Sequence, residues 1–173
     1  KGRVAALVGP AAEHAQFEMM HERIECSFDT WLQSHYASLS SLSPWPRPVM
    51  LHHVPRFLAH GMASASLSKR ALVVVDGLSL DQWAAIRQEL PARAWSMDEG
   101  ALFAWVPTLT SVSRQSIFAA DPPFFFAPSI ETTQKEEKHW SRFWEDQGLR
   151  KTEVAYLCQK DQEHDDALIE RVR

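Results

Sequence analysis

The chain has 173 residues, the length of one ordinary domain with material for a sizeable core, and 18 basic against 22 acidic residues leave a formal net charge of -4. That balance gives no overall basic bias toward nucleic acid. Two cysteines, Cys26 and Cys158, are too few for a disulfide framework or a paired-cysteine zinc site, and no apolar run approaches a membrane span.

These features describe a soluble, cytoplasmic protein in a reducing compartment with no membrane partner. The chain starts at Lys1, and 166–173 (DALIERVR) reads as a helix cut in mid-pattern, so it is read as a piece of a longer protein.

From residue 11 to about 42 the spacing predicts a helix or helical hairpin, with Phe17, Met20, Ile24, Phe28, Trp31 and Leu32 on one stripe. The stretch 40–48 (SSLSPWPRP) is dense in Ser and Pro, whose ring fixes φ and removes a donor, so regular structure stops there. His52, His53 and His60 invite a metal reading. No Cys, Asp or Glu accompanies them at ligand spacing, and a short helix or turn packed on the core is the expected outcome. The chain divides into a helical region at 1–45, a linker with a short helix at 46–68, and an α/β domain at 69–173.

That domain opens with 69–77 (KRALVVVDG), an apolar, β-branched run that reads as a buried strand with an acidic exit at Asp76. Ser79 and Gln82 make a capping box, Trp83, Ile86 and Leu90 mark the buried face of the helix that follows, and Pro91 ends it. The run 101–106 (ALFAWV) is a second strand, which completes a β-α-β crossover. Past Pro107, the hydroxyl-rich 108–113 leads into a helix stopped by Asp121, Pro122 and Pro123. Phe124, Phe125 and Phe126 are expected in a strand or loop anchored in the core, or covered by the rest of the protein. An aromatic helix at 136–146 carries Trp140, Phe143 and Trp144 on one side and closes at Gly148. A third strand is expected at 154–157, and Glu163, His164, Asp165 and Asp166 read as the solvated start of a last helix rather than as ligands.

Two groups carry obvious chemistry. Asp76, at a strand end with Gly77 behind it, suits a cation such as Zn²⁺, Mn²⁺ or Mg²⁺, or simply caps the next helix. Thr110, with Thr108, Ser111 and Ser113, sits just ahead of a helix whose N-terminus can bind phosphate or a developing oxyanion. A hydroxyl there, coordinated to a metal, can lose its proton near neutral pH and attack phosphorus. Its plainer reading is an N-cap. Parallel strand ends would bring both groups to one sheet edge.

These residues resemble the alkaline phosphatase superfamily. Val74, Val75, Asp76 and Gly77 match its hydrophobic-Asp-Gly segment at the end of the first core strand. Pro107, Thr108, Leu109 and Thr110 match the Pro-Thr-x-Thr of its phosphodiesterase branch, with Ser116, Ile117 and Phe118 continuing in register. A fuller resemblance is to the PglZ family of bacterial phage-exclusion (BREX) systems. It runs through Trp31, Leu32 and Tyr36, through 74–83 (VVDGLSLDQW) and 105–119 (WVPTLTSVSRQSIFA), and through Thr133, Lys135, Glu136, Trp140, Phe143 and Trp144.

The resemblance implies an α/β fold, an alkaline-phosphatase-like parallel sheet flanked by helices, present here as an incomplete portion. It implies Asp76 as a metal ligand and Thr110 as nucleophile and ligand of the same ion, with Ser111 and Ser113 as fallback nucleophiles. Arg114 would contact phosphate oxygens or pair with a carboxylate. The implied function is metal-dependent hydrolysis of a phosphate ester in antiphage defence, with nucleic acid among the substrates to be considered and other components of the system as partners. The implied cofactor is a pair of divalent ions, Zn²⁺ first and Mn²⁺ or Mg²⁺ as alternatives. No strand-end Asp-His pair follows Thr110, and two ligands hold an ion poorly, so this piece alone is expected to carry half an active site and to be inactive. The competing reading is an interaction scaffold that docks on other defence components or on DNA through the Trp-rich face around Trp140 and Trp144 and the N-terminal helical region.

Overall fold

The computed structural model describes residues 11–64, 69–91 and 96–158. The chain falls into two compact units, Lys1–Leu42 and Ser43–Arg173.

In the first unit the expected helix forms as α1, Ala11–Leu39. The apolar stripe that predicted it is not buried as a face: Met20 is 56% exposed and Ile24 60%. Its polar side chains are satisfied within the helix instead, the hydroxyls of Thr30 and Ser34 donating to the carbonyls of Cys26 and Thr30 one turn back. The Trp31 and His35 rings stack at 4.9 Å.

The second unit holds α2 (His53–Ser64), α3 (Leu80–Glu89), α4 (Thr110–Ala119) and α5 (Glu136–Asp146), with 3-10 turns at Pro123–Ser129 and Lys151–Glu153. Its core forms where α4 packs on α5 and α2. Ala120, Phe143 and Trp144 are buried there, with Leu58, Ala59, Met62, Trp140, Leu149 and Val154 packed around them. The aromatic residues of α5 meet edge to face, Trp144 lying 5.3 Å from Trp140 and 5.0 Å from Phe143, the arrangement ring quadrupoles favour.

Both core helices end in left-handed turns. Ala120 closes α4 with φ 56°, and Arg56 Nε donates to its carbonyl at 2.9 Å. Gly148, at φ 89°, follows α5. Its N–H reaches the Glu145 carbonyl at 2.9 Å, and the Leu149 N–H reaches that of Trp144 at 3.0 Å, which satisfies carbonyls the helix leaves open.

The expected parallel sheet is overturned: the described residues are helical and contain no strand. What remains is one isolated parallel bridge between Met50 and Phe103. The Phe103 N–H donates to the Val49 carbonyl at 2.8 Å and its carbonyl accepts from Leu51 at 3.1 Å, so 101–106 pairs with the segment ahead of α2 rather than with 71–75. A buried parallel strand needs ladder partners and a covered face. The run 71–75 has neither in this structure, with Val73 79% exposed and Val75 59%. The third expected strand, 154–157, is likewise no strand; its Ala155 carbonyl accepts a hydrogen bond from Trp140 Nε1 at 3.1 Å.

The capping box of α3 is present. Ser79 Oγ accepts from the Gln82 N–H at 3.2 Å while Gln82 Oε1 accepts from the Ser79 N–H at 2.9 Å. The expected apolar face of α3 is not a core face, because none of its residues is buried. Trp83 and Arg87 instead both reach Glu99, at 2.9 and 2.6 Å. Of the Phe triplet, only Phe126 is anchored, at 4% exposure; Phe124 and Phe125 are each 68% exposed. Among the described residues no helix is long and apolar enough to cross a membrane.

Candidate active site

Thr110 is the first residue of α4. The cap position before it is held by Leu109, in extended backbone and without a side-chain hydrogen bond, so the N-capping role does not fall to Thr110. The first N–H groups of any helix lack intrahelical partners and carry partial positive charge, and the exposed Thr110 sits among those of α4. Asp76 is also relieved of capping, since Ser79 caps α3. It lies exposed in the turn at 76–77, where Gly77 takes φ 71°, a conformation that glycine adopts at little cost.

Arg114 stands four residues after Thr110, hence on the same side of α4. Its Nη2 donates to Glu136 Oε2 at 2.6 Å, and the carboxylate it meets is 1% exposed. The Tyr156 hydroxyl donates to the same oxygen, also at 2.6 Å. Cys158 Sγ lies 4.0 Å from the guanidinium. One buried oxygen at the start of α5 thus joins α4 to the segment after the last 3-10 turn. The hydrogen bond to Glu136 holds Arg114 well above the usual guanidinium value. Burial, then the hydrogen bond and charge of Glu136, pushes the Tyr156 phenol up, so it stays a donor. Arg114 therefore pairs with a carboxylate, one of the two roles open to it from sequence.

Ser111 and Ser113, the fallback nucleophiles, lie half-buried in the first turn of α4. The three histidines take structural places. His53 Nδ1 accepts from the N–H groups of Val49 and Met50 at 3.3 Å each, His52 packs 5.3 Å from the Trp105 ring, and His60 lies against Trp45. Among the described residues no group of three or more His, Cys, Asp or Glu side chains could hold a metal ion. Asp76 therefore belongs to no such group among the described residues. Glu163, His164, Asp165 and Asp166 lie outside the described residues.

Sequence reasoning passed over Glu136 and Tyr156 as chemistry. They stand 22 residues from Arg114 and 20 from Glu136 respectively, and no local pattern announces a pairing across that distance. A concavity of about 350 Å³ opens at the far end of α4 between Arg56, Asp121, Phe125, His139 and Arg142.

The family model for the BREX system PglZ alkaline phosphatase-like domain matches residues 54–171, more than half of the chain. The chain belongs to the PglZ family. No curated protein and no solved structure matches it. The matched PglZ region starts within α2 and takes in Asp76, Thr110, Arg114, Glu136 and Tyr156, whereas α1 lies before it. This PglZ domain is an alkaline phosphatase-like component of a BREX system, and such membership brings other components of that system as partners.

Proposed function

We propose that this PglZ domain belongs to a metal-dependent phosphoric-ester hydrolase in which Thr110 is the nucleophile and Asp76 a metal ligand. The observation that carries the reading is the position of Thr110: first in α4, exposed, and not the residue that caps the helix. There the Thr110 oxygen, once deprotonated, attacks phosphorus. The bond to the leaving alcohol breaks with its electron pair on the alcohol oxygen, and water then hydrolyses the phosphothreonine and restores the hydroxyl. The N–H groups and positive end of α4 stabilise charge developing on the phosphoryl oxygens. Divalent ions, Zn²⁺ or in its place Mn²⁺ or Mg²⁺, are the cofactor this chemistry calls for.

The test is hydrolysis of a nitrophenyl phosphodiester by the full-length protein with Zn²⁺ or Mn²⁺. Thr110→Ala and Asp76→Ala each abolish it on this reading; full activity in both variants sinks the assignment. Phosphate esters of nucleic acid are the substrates to try next, in the cytoplasm of a phage-challenged cell.

A second reading, an assembly scaffold, is favoured by the adjoining and exposed Phe124 and Phe125, whose rings lie 4.7 Å apart at a 39° tilt. Exposed aromatic pairs anchor protein interfaces. Loss of partner binding in Phe124→Ser with Phe125→Ser, alongside intact phage defence in Thr110→Ala, is the outcome that selects the scaffold.

A further inference from the structure

We propose that Glu136 is a positioning residue of the Thr110 site, acting through Arg114, with Tyr156 holding the carboxylate in place. The proposal rests on the reading of Thr110 as nucleophile.

The core between α4 and α5 is apolar, and apolar packing is non-directional: it resists separation of two helices better than rotation or sliding of one on the other. Between these two helices the directional contact is Arg114 Nη2 to Glu136 Oε2 at 2.6 Å, a charged hydrogen bond that tolerates little change in length or angle. Gln115 of α4 is held separately on Ser129, its Nε2 donating to the Ser129 carbonyl at 2.6 Å and its Oε1 accepting from the Ser129 hydroxyl at 2.9 Å. Tyr156 fixes the acceptor from a third segment at 2.6 Å, so the oxygen cannot follow Arg114 if α4 turns. Thr110 lies one turn from Arg114 along a rigid helix, and a rotation of α4 carries its hydroxyl directly with it.

Stability does not account for this arrangement. Glu136 is 1% exposed, and among the described residues neither its Oε1 nor the buried Arg114 Nε has a hydrogen-bond partner. A buried ion pair so incompletely satisfied holds a fold no better than apolar residues of the same volume. What it supplies is a fixed geometry, and displacement of a reacting group by about 1 Å lowers rate on the order of 100-fold.

The experiment uses the full-length protein and the nitrophenyl phosphodiester, with kcat, KM and thermal midpoint measured for each variant. Glu136→Gln keeps the shape and removes the charge. It is expected to lower kcat on the order of 10- to 100-fold with KM changed less than about 3-fold, since misplacement of the attacking group acts on the chemical step rather than on ground-state binding. Tyr156→Phe is expected to move kcat in the same direction by a smaller factor. In an Arg114→Ala background, Glu136→Gln is expected to add nothing, because its influence passes through Arg114.

Unchanged kcat in folded Glu136→Gln, or effects of Arg114→Ala and Glu136→Gln that multiply, overturns the proposal while an inactive Thr110→Ala leaves the nucleophile standing. Activity retained in Thr110→Ala overturns both. Should Glu136→Gln fail to fold, Tyr156→Phe decides alone: it keeps the ring contact with Phe118 at 5.3 Å and deletes only the hydroxyl, and unchanged kcat in it rejects the role.

Discussion

Arg114 and Glu136 meet at 2.6 Å in an ion pair whose acidic half is 1% exposed, and through it the helix that begins at Thr110 is tied to the start of the next. The first consequence is thermodynamic. Arg114→Ala strands a buried carboxylate and is expected to destabilise the domain by about 3–5 kcal/mol, whereas Arg114→Met combined with Glu136→Leu recovers most of that loss. Urea denaturation of the two variants and the parent checks it; equal losses would refute it.

The Phe triplet separates sharply by burial. Phe126→Ala removes a ring that is 4% exposed and is expected to cost about 3–5 kcal/mol. Phe124→Ser and Phe125→Ser remove rings that are 68% exposed, and each is expected to stay within about 0.5 kcal/mol of the parent. The same denaturation assay ranks them.

A like contrast separates two helices that each carry an apolar face in the sequence. Trp144→Ala in α5 is expected to cost about 3–5 kcal/mol, since Trp144 is 6% exposed in the core, while Ile86→Ala in α3, 44% exposed, is expected to cost less than about 1 kcal/mol. Thermal midpoints of the two variants suffice to compare them.

His139 gives the domain a pH dependence of known sign. Burial, then the charges of Lys135, Lys138 and Arg142, lowers its folded pKa below the ordinary 6.5. The unfolded chain therefore takes up the proton first, so stability is complete above about 6.5 and is lost as pH falls through the folded value. Thermal midpoints measured between pH 7.5 and about 5 are expected to fall less steeply in His139→Gln than in the parent.

Metal dependence has its own test on the proposed ligand. Asp76→Asn in the full-length protein removes one anionic ligand, and the Zn²⁺ concentration for half-maximal activity is expected to rise on the order of 10-fold or more. Titration of chelator-treated protein with Zn²⁺ provides the measurement, and an unchanged midpoint would remove Asp76 from the site.

Local features were the ones legible in sequence. The box of Ser79 and Gln82, the turn at Gly148, the run of α1 and the aromatic face of α5 each depend on residues within a turn or two, where periodicity and capping chemistry act directly. The motif residues around Asp76 and Thr110, and the family they point to, were legible for the same reason: each is a short contiguous string. The sheet was misread because an apolar β-branched run states that a segment suits a strand but does not supply its partners, and 71–75 has no ladder in this structure. The face of α3 was misread likewise, Trp83 reaching Glu99 instead of entering a core.

By itself, then, the sequence determined the helices, the capping box of α3, the glycine turn after α5 and the two residues proposed for the chemistry. The tertiary structure alone decided which apolar faces become core and which carboxylate Arg114 meets. It brings Arg114 and Tyr156, 22 and 20 residues from Glu136 along the chain, onto one buried oxygen of Glu136. Such a contact follows from how helices pack in space, and no repeat or spacing along the chain encodes it.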